Sequence, residues 1–580
     1  MKKLLPAMTL VTALACGAAQ AALLYVDPAN PGATDSGAGD ALHPYRTLTY
    51  AMKQLKPGDT LNIAGGTYRE SLIFPQVSWS AGSAVIQPMS SAPVLIKGSN
   101  VVTGWTAPGA GLFVRNGWTV NSQQVFVDGV SLQQIGGKIF SNDPWIWPGR
   151  VAGGLAELTD NSFYYDIAAQ NLYVKVPLTS LDGHIVEVSV RPHLVFGSAV
   201  ENVTLRQLRF QHANTTALNQ TGAVHLWRSN RNVLDGLDVS YVDGTGFDVT
   251  GEDNVLRNNK ANRNGQLGMK VRGKRNLLEG NETSFNNTRG FQKWWEAGGA
   301  KFVGEGGLID STVKRHVAVG NLGDGIWFDW MNSNNRIYEN LSAYNSGMGI
   351  HYEASQKGYI YNNYVFGNRQ RGIYLPHSSG SVVAFNMVAN NRYEGTAIVD
   401  EGRDPTNTLL RPVGNLVHGN IIAWNGRSAL VLPLELADNR SDYNLFLGVT
   451  QPAFSLGWPS TTSPIRTGLD AWRTASGQDL HSWFQVFDIP STLATAFEQM
   501  NPYPDWSPVL SVASSYSLPA LSDILPTHTK PGPSLQLVAS GGDTGGSTGD
   551  TGGSTGDTGG STGDTGGSTK PGKGLGRNKK

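Results

Sequence analysis

Asparagines recur through the middle of the chain at a spacing that few folds accommodate. Three of the five steps in the series are 22 or 23 residues long, and each member is followed five residues later by another asparagine. This interval is typical of one coil of a parallel β-helix, in which stacked asparagines bond otherwise unpaired backbone groups at the turns. We therefore predict an all-β chain of the right-handed parallel β-helix class. The pairs begin at Asn259, Asn281, Asn340, Asn363, Asn386 and Asn420.

A short phrase repeats at the same period and separates inward from outward positions. It reads Gly325-Ile-Trp-Phe-Asp329, then Gly349-Ile-His-Tyr-Glu353, then Gly372-Ile-Tyr-Leu-Pro376. Successive side chains of a strand point to opposite faces, so the apolar members of each phrase are expected in the interior. These predicted interior pairs are Phe247/Val249, Met269/Val271, Ala300/Phe302, Ile326/Phe328, Ile350/Tyr352 and Ile373/Leu375.

The outward members of the phrases form two predicted columns of polar and aromatic side chains. Sugar rings stack on aromatic side chains while their hydroxyls meet charged groups, so an outward groove of this composition suits a carbohydrate chain. One column reads His225, Asp248, Lys270, Lys301, Trp327, His351 and Tyr374. The other reads Trp227, Thr250, Arg272, Val303, Asp329, Glu353 and Pro376.

Two carboxylates, Asp329 and Glu353, occupy equivalent positions in consecutive phrases. Equivalent residues of neighbouring strands lie roughly 4.8 Å apart. Retaining glycosidases hold their two carboxyl groups about 5 to 5.5 Å apart, whereas inverting enzymes leave room for a water. The spacing therefore favours a retaining glycoside hydrolase that uses this pair on a polysaccharide or oligosaccharide.

The stretch Gly325-Ile-Trp-Phe-Asp-Trp-Met-Asn332, followed by an acid-bearing strand one period later, resembles the active-site region of glycoside hydrolase family 120, the β-xylosidases built on an interrupted right-handed β-helix. The resemblance implies that Asp329 is the nucleophile and Glu353 the general acid/base. The second phrase, Gly349-Ile-His-Tyr-Glu353-Ala354-Ser355, differs from the family's Val-Glu-Val phrase, which puts the substrate in doubt more than the reaction type.

Several other outward residues are candidate substrate-binding groups. Lys301 follows an enlarged loop that contains two tryptophans and Glu296, while Asp400 lies on the strand region after Pro376. The complete predicted substrate-binding set is Trp327, His351, Lys301, Arg272, Lys270, Asp248, Tyr374, Glu296 and Asp400. No metal ligand and no cofactor is predicted for the hydrolase.

Two other functional classes remain open. A polysaccharide lyase or uronate epimerase would use Lys301 or His351 as a base, with or without Ca²⁺ held by Asp248, Glu296, Asp329 or Glu353. Neither a tight aspartate cluster nor an Asp-Pro-His-Asp phrase, typical of such enzymes, is found. The third possibility is a non-catalytic carbohydrate-binding surface protein.

The N-terminal residues predict export. Met1-Lys2-Lys3, an apolar run to Ala15 and the small-residue site Ala19-Gln20-Ala21 are typical of a signal peptide, too short to span a membrane. We expect a secreted or periplasmic protein that begins at Ala22, with lipid anchoring at Cys16 the less favoured reading. The 45 basic and 45 acidic side chains balance, which argues against nucleic acid or a membrane surface as partner.

Changes in composition and periodicity predict six segments. A signal peptide (1–21) precedes an N-terminal cap with the first coils (22–100). A β-rich insertion (101–190) interrupts the β-helix, which resumes with the active-site groove (191–430) and ends in a capping region (431–539). Residues 540–580 form a disordered linker, in which Gly-Asp-Thr-Gly-Gly-Ser-Thr repeats, and a basic tail.

Overall fold

The computed structural model describes residues 21–136, 153–217, 220–304, 306–404, 406–436, 438–457 and 465–536. The chain forms two compact units, which meet in sequence between Ile326 and Trp327. The predicted signal peptide, Cys16 and the repeat-rich tail lie outside the described residues. No helix among the described residues is long and apolar enough to cross a membrane.

The first unit is a stack of parallel strands in three sheets, as the repeat predicts. The first sheet contains Leu23–Val26, Thr60–Ile63, Ala84–Pro88, Val203–Arg206, Val233–Asp235, Val255–Arg257, Leu277–Glu279 and Thr312–Lys314. The second contains Gly66–Tyr68, Val94–Lys97, Arg209–Gln211, Asp238–Ser240 and Lys260–Asn262, and Val317–Val319 follows later in the unit. The third contains Leu72–Ile73, Val195–Ser198, Gly222–Trp227, Thr245–Thr250, Leu267–Lys274 and Gly298–Phe302, with Leu308–Ile309 beside the fifth of these.

Two smaller sheets with antiparallel pairing interrupt this stack. One contains Ser99–Val101, Val125–Val127, Val130–Ser131 and Val186–Ser189. The other contains Thr106–Gly109, Leu112–Asn116, Gln133–Gln134, Ser162–Asp166 and Asn171–Lys175. Their strands pack a separate apolar cluster that includes Phe113, Phe163 and Leu172. The segment thus has a small core of its own.

A short helix, α1 (Leu48–Gln54), lies between the first two strands of the first unit. Thr47 caps it by accepting a hydrogen bond from the Tyr50 N–H at 3.1 Å, and the helix buries Leu48, Ala51 and Met52. The helix therefore begins directly after Thr47 and ends at Gln54. Capping by Thr47 satisfies an otherwise free N–H and fixes where the helix begins.

The second unit repeats the three-sheet pattern. The first sheet contains Arg336–Tyr338, Tyr359–Tyr361, Val382–Ala384, Leu416–His418 and Arg440–Asp442. The second contains Leu341–Ala343, Tyr364–Phe366, Met387–Ala389, Ile421–Ala423, Leu445–Gly448 and Trp483–Val486. The third contains Ile350–Glu353, Ile373–Pro376, Thr396–Val399, Leu430–Val431, Ala453–Ser455 and Arg466–Thr467. Strand Asp324–Asp329 includes the residue at which the first unit ends. Helices α2 (Leu469–Ser476), α3 (Ser491–Glu498) and α4 (Ser507–Ala513) follow the last coils.

The predicted asparagine ladders are present in both units. In the second unit the Asn340 backbone N–H donates to Asn363 Oδ1 at 2.9 Å, and Asn363 Nδ2 donates to Asn386 Oδ1 at 2.9 Å. Each amide bonds the next coil, so buried backbone groups at the turns are satisfied. A further ladder that the sequence reading did not name runs through Asn232, Asn254 and Asn276.

The predicted interior is confirmed, since every one of the twelve interior residues is at most 1% exposed. The outward columns differ from the expected open groove. Trp327, His351 and Tyr374 are only 3 to 4% exposed. The sequence pattern assigned the outward face correctly, but it could not show that loops between strands fold back over that face.

Candidate functional site

Asp329 and Glu353 lie on adjacent strands of the second unit. The Trp330 N–H donates to the Glu353 carbonyl at 3.2 Å, and the Met331 N–H donates to the Ala354 carbonyl at 3.0 Å. The next coil repeats this pattern, with the Ala354 N–H donating to the Pro376 carbonyl at 3.0 Å. This register sets Asp329 opposite Glu353, with strand backbones roughly 4.8 Å apart. Asp329 is half-buried, and Glu353 is 7% exposed.

The chain turns sharply after Asp329. Trp330 and Met331 both have φ near 64°, in the left-handed region that costs bulky side chains about 1 kcal/mol or more each. Among the described residues they are the one consecutive non-glycine pair in that region. Equivalent single positions in the next two coils, Ala354 and His377, are also left-handed. Each of these three coils therefore turns at the same position. Two consecutive left-handed residues occur only in the coil that carries Asp329.

Glu353 has three polar neighbours. The Trp327 indole N–H donates to Glu353 Oε2 at 3.2 Å, and His351 Nε2 lies 3.4 Å from the same oxygen. The Arg403 guanidinium forms an ion pair with the other oxygen, Oε1. Both carboxylate oxygens are therefore held, and the position of this side chain is fixed before any ligand binds.

Aromatic rings form a continuous stack beside Glu353. The rings of Trp327 and His351 are parallel within 7°, with centroids 5.0 Å apart. Tyr374 continues the stack with its centroid 5.1 Å from that of His351. Burial and the neighbouring Glu401 carboxylate raise the pKa of Tyr374 well above its ordinary value, so its phenol stays protonated and donates to Glu401.

A second charged group flanks the stack on its other side. The Arg371 guanidinium lies 4.5 Å from the centroid of Tyr374, and its Nε is 2.7 Å from Oε2 of the fully buried Glu394. Arg427 also approaches Glu394, at 3.4 Å. A buried carboxylate between two guanidiniums is compensated electrostatically, which explains how Glu394 is tolerated here.

The loop after strand Thr396–Val399 covers this face. Arg403 of this loop forms the ion pair with Glu353, and Glu401 accepts the hydrogen bond from Tyr374. The Leu410 carbonyl lies 3.2 Å from His377 Nδ1. Asp400, a predicted substrate-binding residue, accepts from the Gly402 N–H at 2.7 Å and lies 3.5 Å from His377. His377, which was not among the predicted site residues, is buried and contacts this loop at two points.

The first unit gathers the remaining five predicted residues in a buried network of charges. Lys270 forms an ion pair with Glu296, and Lys301 donates to the Trp295 carbonyl. Asp248 lies 3.0 Å from His225 Nδ1 and 3.4 Å from Arg272 Nη2. These five residues belong to the first unit, whereas the other predicted site residues belong to the second.

Sequence reasoning missed Arg371, Glu394 and Glu401. The first two precede the glycine of successive phrases, so a third outward column at that position was available as a signal. Glu401 lies in an irregular loop, where no period indicates its partner. Among the described ranges, no group of three or more His, Cys, Asp or Glu side chains is arranged to hold a metal ion.

Comparison with known proteins decides the handedness of the coils. A family model described as the right-handed β-helix region matches residues 192–306, 222–392 and 294–435. The chain is a right-handed parallel β-helix protein. The structure of XylC in complex with xylose has the same fold, with a TM-score of 0.58, 14% identity and coverage of 81% of this chain and 86% of that chain. The prediction of a right-handed parallel β-helix fold is confirmed.

Weaker structural similarity extends to two other proteins. A glycoside hydrolase aligns with a TM-score of 0.40 and 13% identity over 74% of this chain and 94% of that chain. A rhamnogalacturonan lyase aligns with a TM-score of 0.38 and 13% identity over 70% of this chain and 84% of that chain. A comparison with curated proteins gave no match.

Proposed function

We propose that the chain is an exported, carbohydrate-active enzyme, a retaining glycoside hydrolase that acts on a polysaccharide or oligosaccharide. The observation that carries this proposal is the register of the second unit, which sets Asp329 opposite Glu353 on adjacent strands. The separation between neighbouring strands is close to the roughly 5 to 5.5 Å that direct attack by a carboxylate requires. The aromatic rings of Trp327, His351 and Tyr374 lie beside this pair, and a sugar ring would contact them only after the loop that carries Glu401 and Arg403 moves away.

The two acids take different roles in this mechanism. Asp329 attacks the anomeric carbon and forms a glycosyl–enzyme ester, while Glu353 gives a proton to the departing oxygen. Glu353 then removes a proton from the water that hydrolyses the ester, which restores both groups and retains the configuration. The roles follow the family 120 resemblance, and the contacts of Trp327 and His351 with Glu353 orient the second acid.

Arg403 has a defined place in this cycle. A guanidinium in contact with Glu353 Oε1 occupies an oxygen that would carry the transferred proton. A departing oxygen that takes its proton from Oε1 has to displace the Arg403 guanidinium, which would couple substrate entry to movement of this side chain. The arginine side chain is 39% exposed, which leaves it room to move toward solvent.

Azide rescue tests the assignment. Glu353→Ala should lose activity most on substrates with poor leaving groups, and azide should restore turnover of activated aryl glycosides to give a glycosyl azide of retained configuration. Asp329→Gly should give the inverted azide if it is rescued at all. The product configuration is read by proton NMR.

Two outcomes of this experiment would contradict the assignment. Retained product from Asp329→Gly together with inverted product from Glu353→Ala would mean that the roles are exchanged. Near wild-type turnover of both variants, with loss of activity in Lys301→Ala, would exclude the carboxylate pair as the catalytic groups.

A lyase or epimerase is the second candidate, favoured by the buried bases of the first unit. Lys301, Lys270 and the His225–Asp248 pair would supply a base and cationic groups that stabilise an anionic intermediate. Such an enzyme could recruit Ca²⁺ through acidic side chains and carbonyls. Digestion distinguishes the two classes: a lyase forms an unsaturated uronate that absorbs in the ultraviolet, whereas a hydrolase forms reducing ends without that absorbance.

Export follows from the N-terminal pattern. We propose cleavage after Ala21, which would leave Ala22 as the first residue, directly before strand Leu23–Val26. Edman sequencing of the exported protein tests this proposal. Recovery of a lipid-modified Cys16 instead would mean membrane anchoring.

A further inference from the structure

A cavity of about 390 Å³ lies in the second unit, between the coil turns and the residues of α3 and its C-terminal end. It is distinct from the acid pair, and its volume lies within the usual range of small-molecule sites. Its lining contains two arginines and no acidic residue. The lining consists of Tyr344, Gly367, Asn368, Arg369, Asn390, Asn391, Arg392, Trp424, Gly426, Phe497 and Met500.

Arg369 and Arg392 occupy equivalent positions in consecutive coils. Each follows a ladder asparagine, and the Arg369 N–H donates to the Asn345 carbonyl as the Arg392 N–H donates to that of Asn368, at 2.8 and 2.9 Å. Their backbones are therefore about one strand spacing apart, roughly 4.8 Å. Both side chains are exposed, and within the described ranges neither guanidinium forms a salt bridge. Two cationic side chains carried by neighbouring coils repel each other, and an anion bound by both would relieve that repulsion.

The coil that follows replaces the arginine with glycine. Gly426 donates from its N–H to the Asn391 carbonyl at 2.9 Å, so it is the next member of the same column. A side chain there would meet the Arg392 carbonyl oxygen at 2.2 Å from its Cβ. Glycine thus allows the backbones of these two coils to approach closely at the edge of the cavity.

Aromatic side chains supply the remaining walls, and their positions are fixed. The Tyr344 hydroxyl donates to the Asn501 carbonyl at 2.9 Å, which ties the coil to the segment after α3. The Trp424 indole N–H donates to the Phe487 carbonyl at 2.9 Å. Phe497 and Met500 complete the apolar side. Guanidiniums that bind carboxylates through paired hydrogen bonds, next to a partly exposed indole, form a combination that recognises an acidic sugar.

We propose that this cavity is a second carbohydrate-binding site, specific for a carboxylate-bearing oligosaccharide. Arg369 and Arg392 bind the carboxylate, and Trp424 stacks on a sugar ring. The site does not require Asp329 or Glu353, so it would anchor a distant part of an acidic polymer whichever reaction the enzyme performs.

Calorimetric titration of the full chain carrying Glu353→Gln, which prevents hydrolysis in the proposed mechanism, tests the proposal with tetragalacturonate as the acidic probe and xylotetraose as the neutral one, and product analysis after the titration checks that neither probe is cleaved. Adding Arg369→Gln and Arg392→Gln should weaken tetragalacturonate binding by about tenfold or more, because two charge-assisted contacts are lost. Arg440→Gln, which removes an exposed arginine elsewhere in the same unit, should leave the affinity unchanged. Added NaCl should weaken binding of the acidic probe.

The outcomes separate this site from the proposed hydrolase. Hydrolysis of an aryl glycoside by the double arginine variant with Glu353 intact should equal that of the wild-type protein. Unchanged tetragalacturonate affinity in the double variant, absence of tetragalacturonate binding, or an equal loss for xylotetraose would each overturn the acidic-sugar site. Complete competition by inorganic phosphate would mean a simple anion site and would overturn it too.

Discussion

Trp327 links the aromatic stack to the acid pair, and its two contributions can be separated. Trp327→Phe removes the indole N–H that donates to Glu353 at 3.2 Å but keeps a ring over His351. We expect kcat/KM to fall by about tenfold, since a hydrogen bond to a charged group contributes about 1.5 kcal/mol or more. The kcat/KM of Trp327→Leu should fall further, because this variant also loses the aromatic ring that stacks on His351. Equal activity of the two variants, measured as kcat/KM, would show that the ring itself contributes nothing.

His316 makes the first unit sensitive to acid. Burial lowers the pKa of this histidine from its ordinary value of 6.5 to about 4. The unfolded chain therefore binds a proton at a higher pH than the folded protein does. The free energy of unfolding that burial of neutral His316 contributes is fully present above about pH 6.5. It declines as the pH falls toward 4 and changes no further below that value.

The corresponding loss in free energy of unfolding is up to about 3 kcal/mol. Denaturant unfolding across this pH range should show the decline in the wild-type protein and a shallower slope in His316→Gln. The variant will be less stable overall, because the contact between His316 Nε2 and Thr283 Oγ1 at 2.8 Å changes. Identical slopes in the two proteins would assign the acid sensitivity to other groups.

The coil is the element in which the asparagine ladders act. Asn363 accepts from the Asn340 N–H and donates to the Ile337 carbonyl and to Asn386. Asn363→Ala should reduce the free energy of unfolding by about 3 kcal/mol, because it leaves buried groups of two neighbouring coils unsatisfied. Asn62→Ala is the control: Asn62 is half-buried and, among the residues that the structure describes, its side chain bonds only the Gln87 amide, so the expected loss is small. Similar losses in both variants, measured by urea denaturation, would contradict a structural role of the ladder.

Periodicity made much of each coil predictable. The stacked asparagines and the alternating phrases identified the coils, the interior residues and the outward columns, because both signals depend only on the repeat of the backbone. The loop that carries Glu401 and Arg403 has no such period, so its fold over Tyr374 and Glu353 was not predictable. For the same reason the sequence indicated an open groove where the structure has buried side chains.

The candidate site residues differ in how far their position in a coil explains their contacts. Asp329, Glu353, Trp327 and His351 share a strand position with their neighbours in the next coil, and the structure places them together. Lys270 and Lys301 occupy equivalent outward positions in the first unit, but their partners Glu296 and Trp295 come from an enlarged loop. Column position specifies which side chains face outward, whereas loop conformation decides which charges meet.

At the scale of the whole molecule, we expect the repeat-rich tail to contribute nothing to stability. Truncation after Ala539 should leave both Tm and activity unchanged, because residues 540–580 contain no core-forming pattern. Truncation after Pro531 is the contrasting variant. It removes Gly532, Ser534 and Leu535, whose backbones bond Gly419, Asn362 and Tyr364 at 2.8, 2.5 and 2.8 Å.

The shorter variant should lose several degrees in Tm, as expected for the removal of packed backbone contacts. Differential scanning calorimetry of the three proteins measures both effects. A drop of that size after truncation at Ala539 would instead show that the tail packs on the body of the protein.

The asparagine ladders also affect how readily the protein deamidates during storage. Asn-Gly bonds deamidate when the glycine nitrogen attacks the side-chain amide, which requires the asparagine side chain to rotate toward it. Asn264 and Asn425 precede glycines, but each amide is fixed by donation to a carbonyl, that of Val239 or Val388. Asn116 precedes Gly117 at an exposed strand end. During storage, aspartate and isoaspartate should therefore accumulate first at Asn116, and the chemical durability of the coils comes from the same hydrogen bonds that stack them.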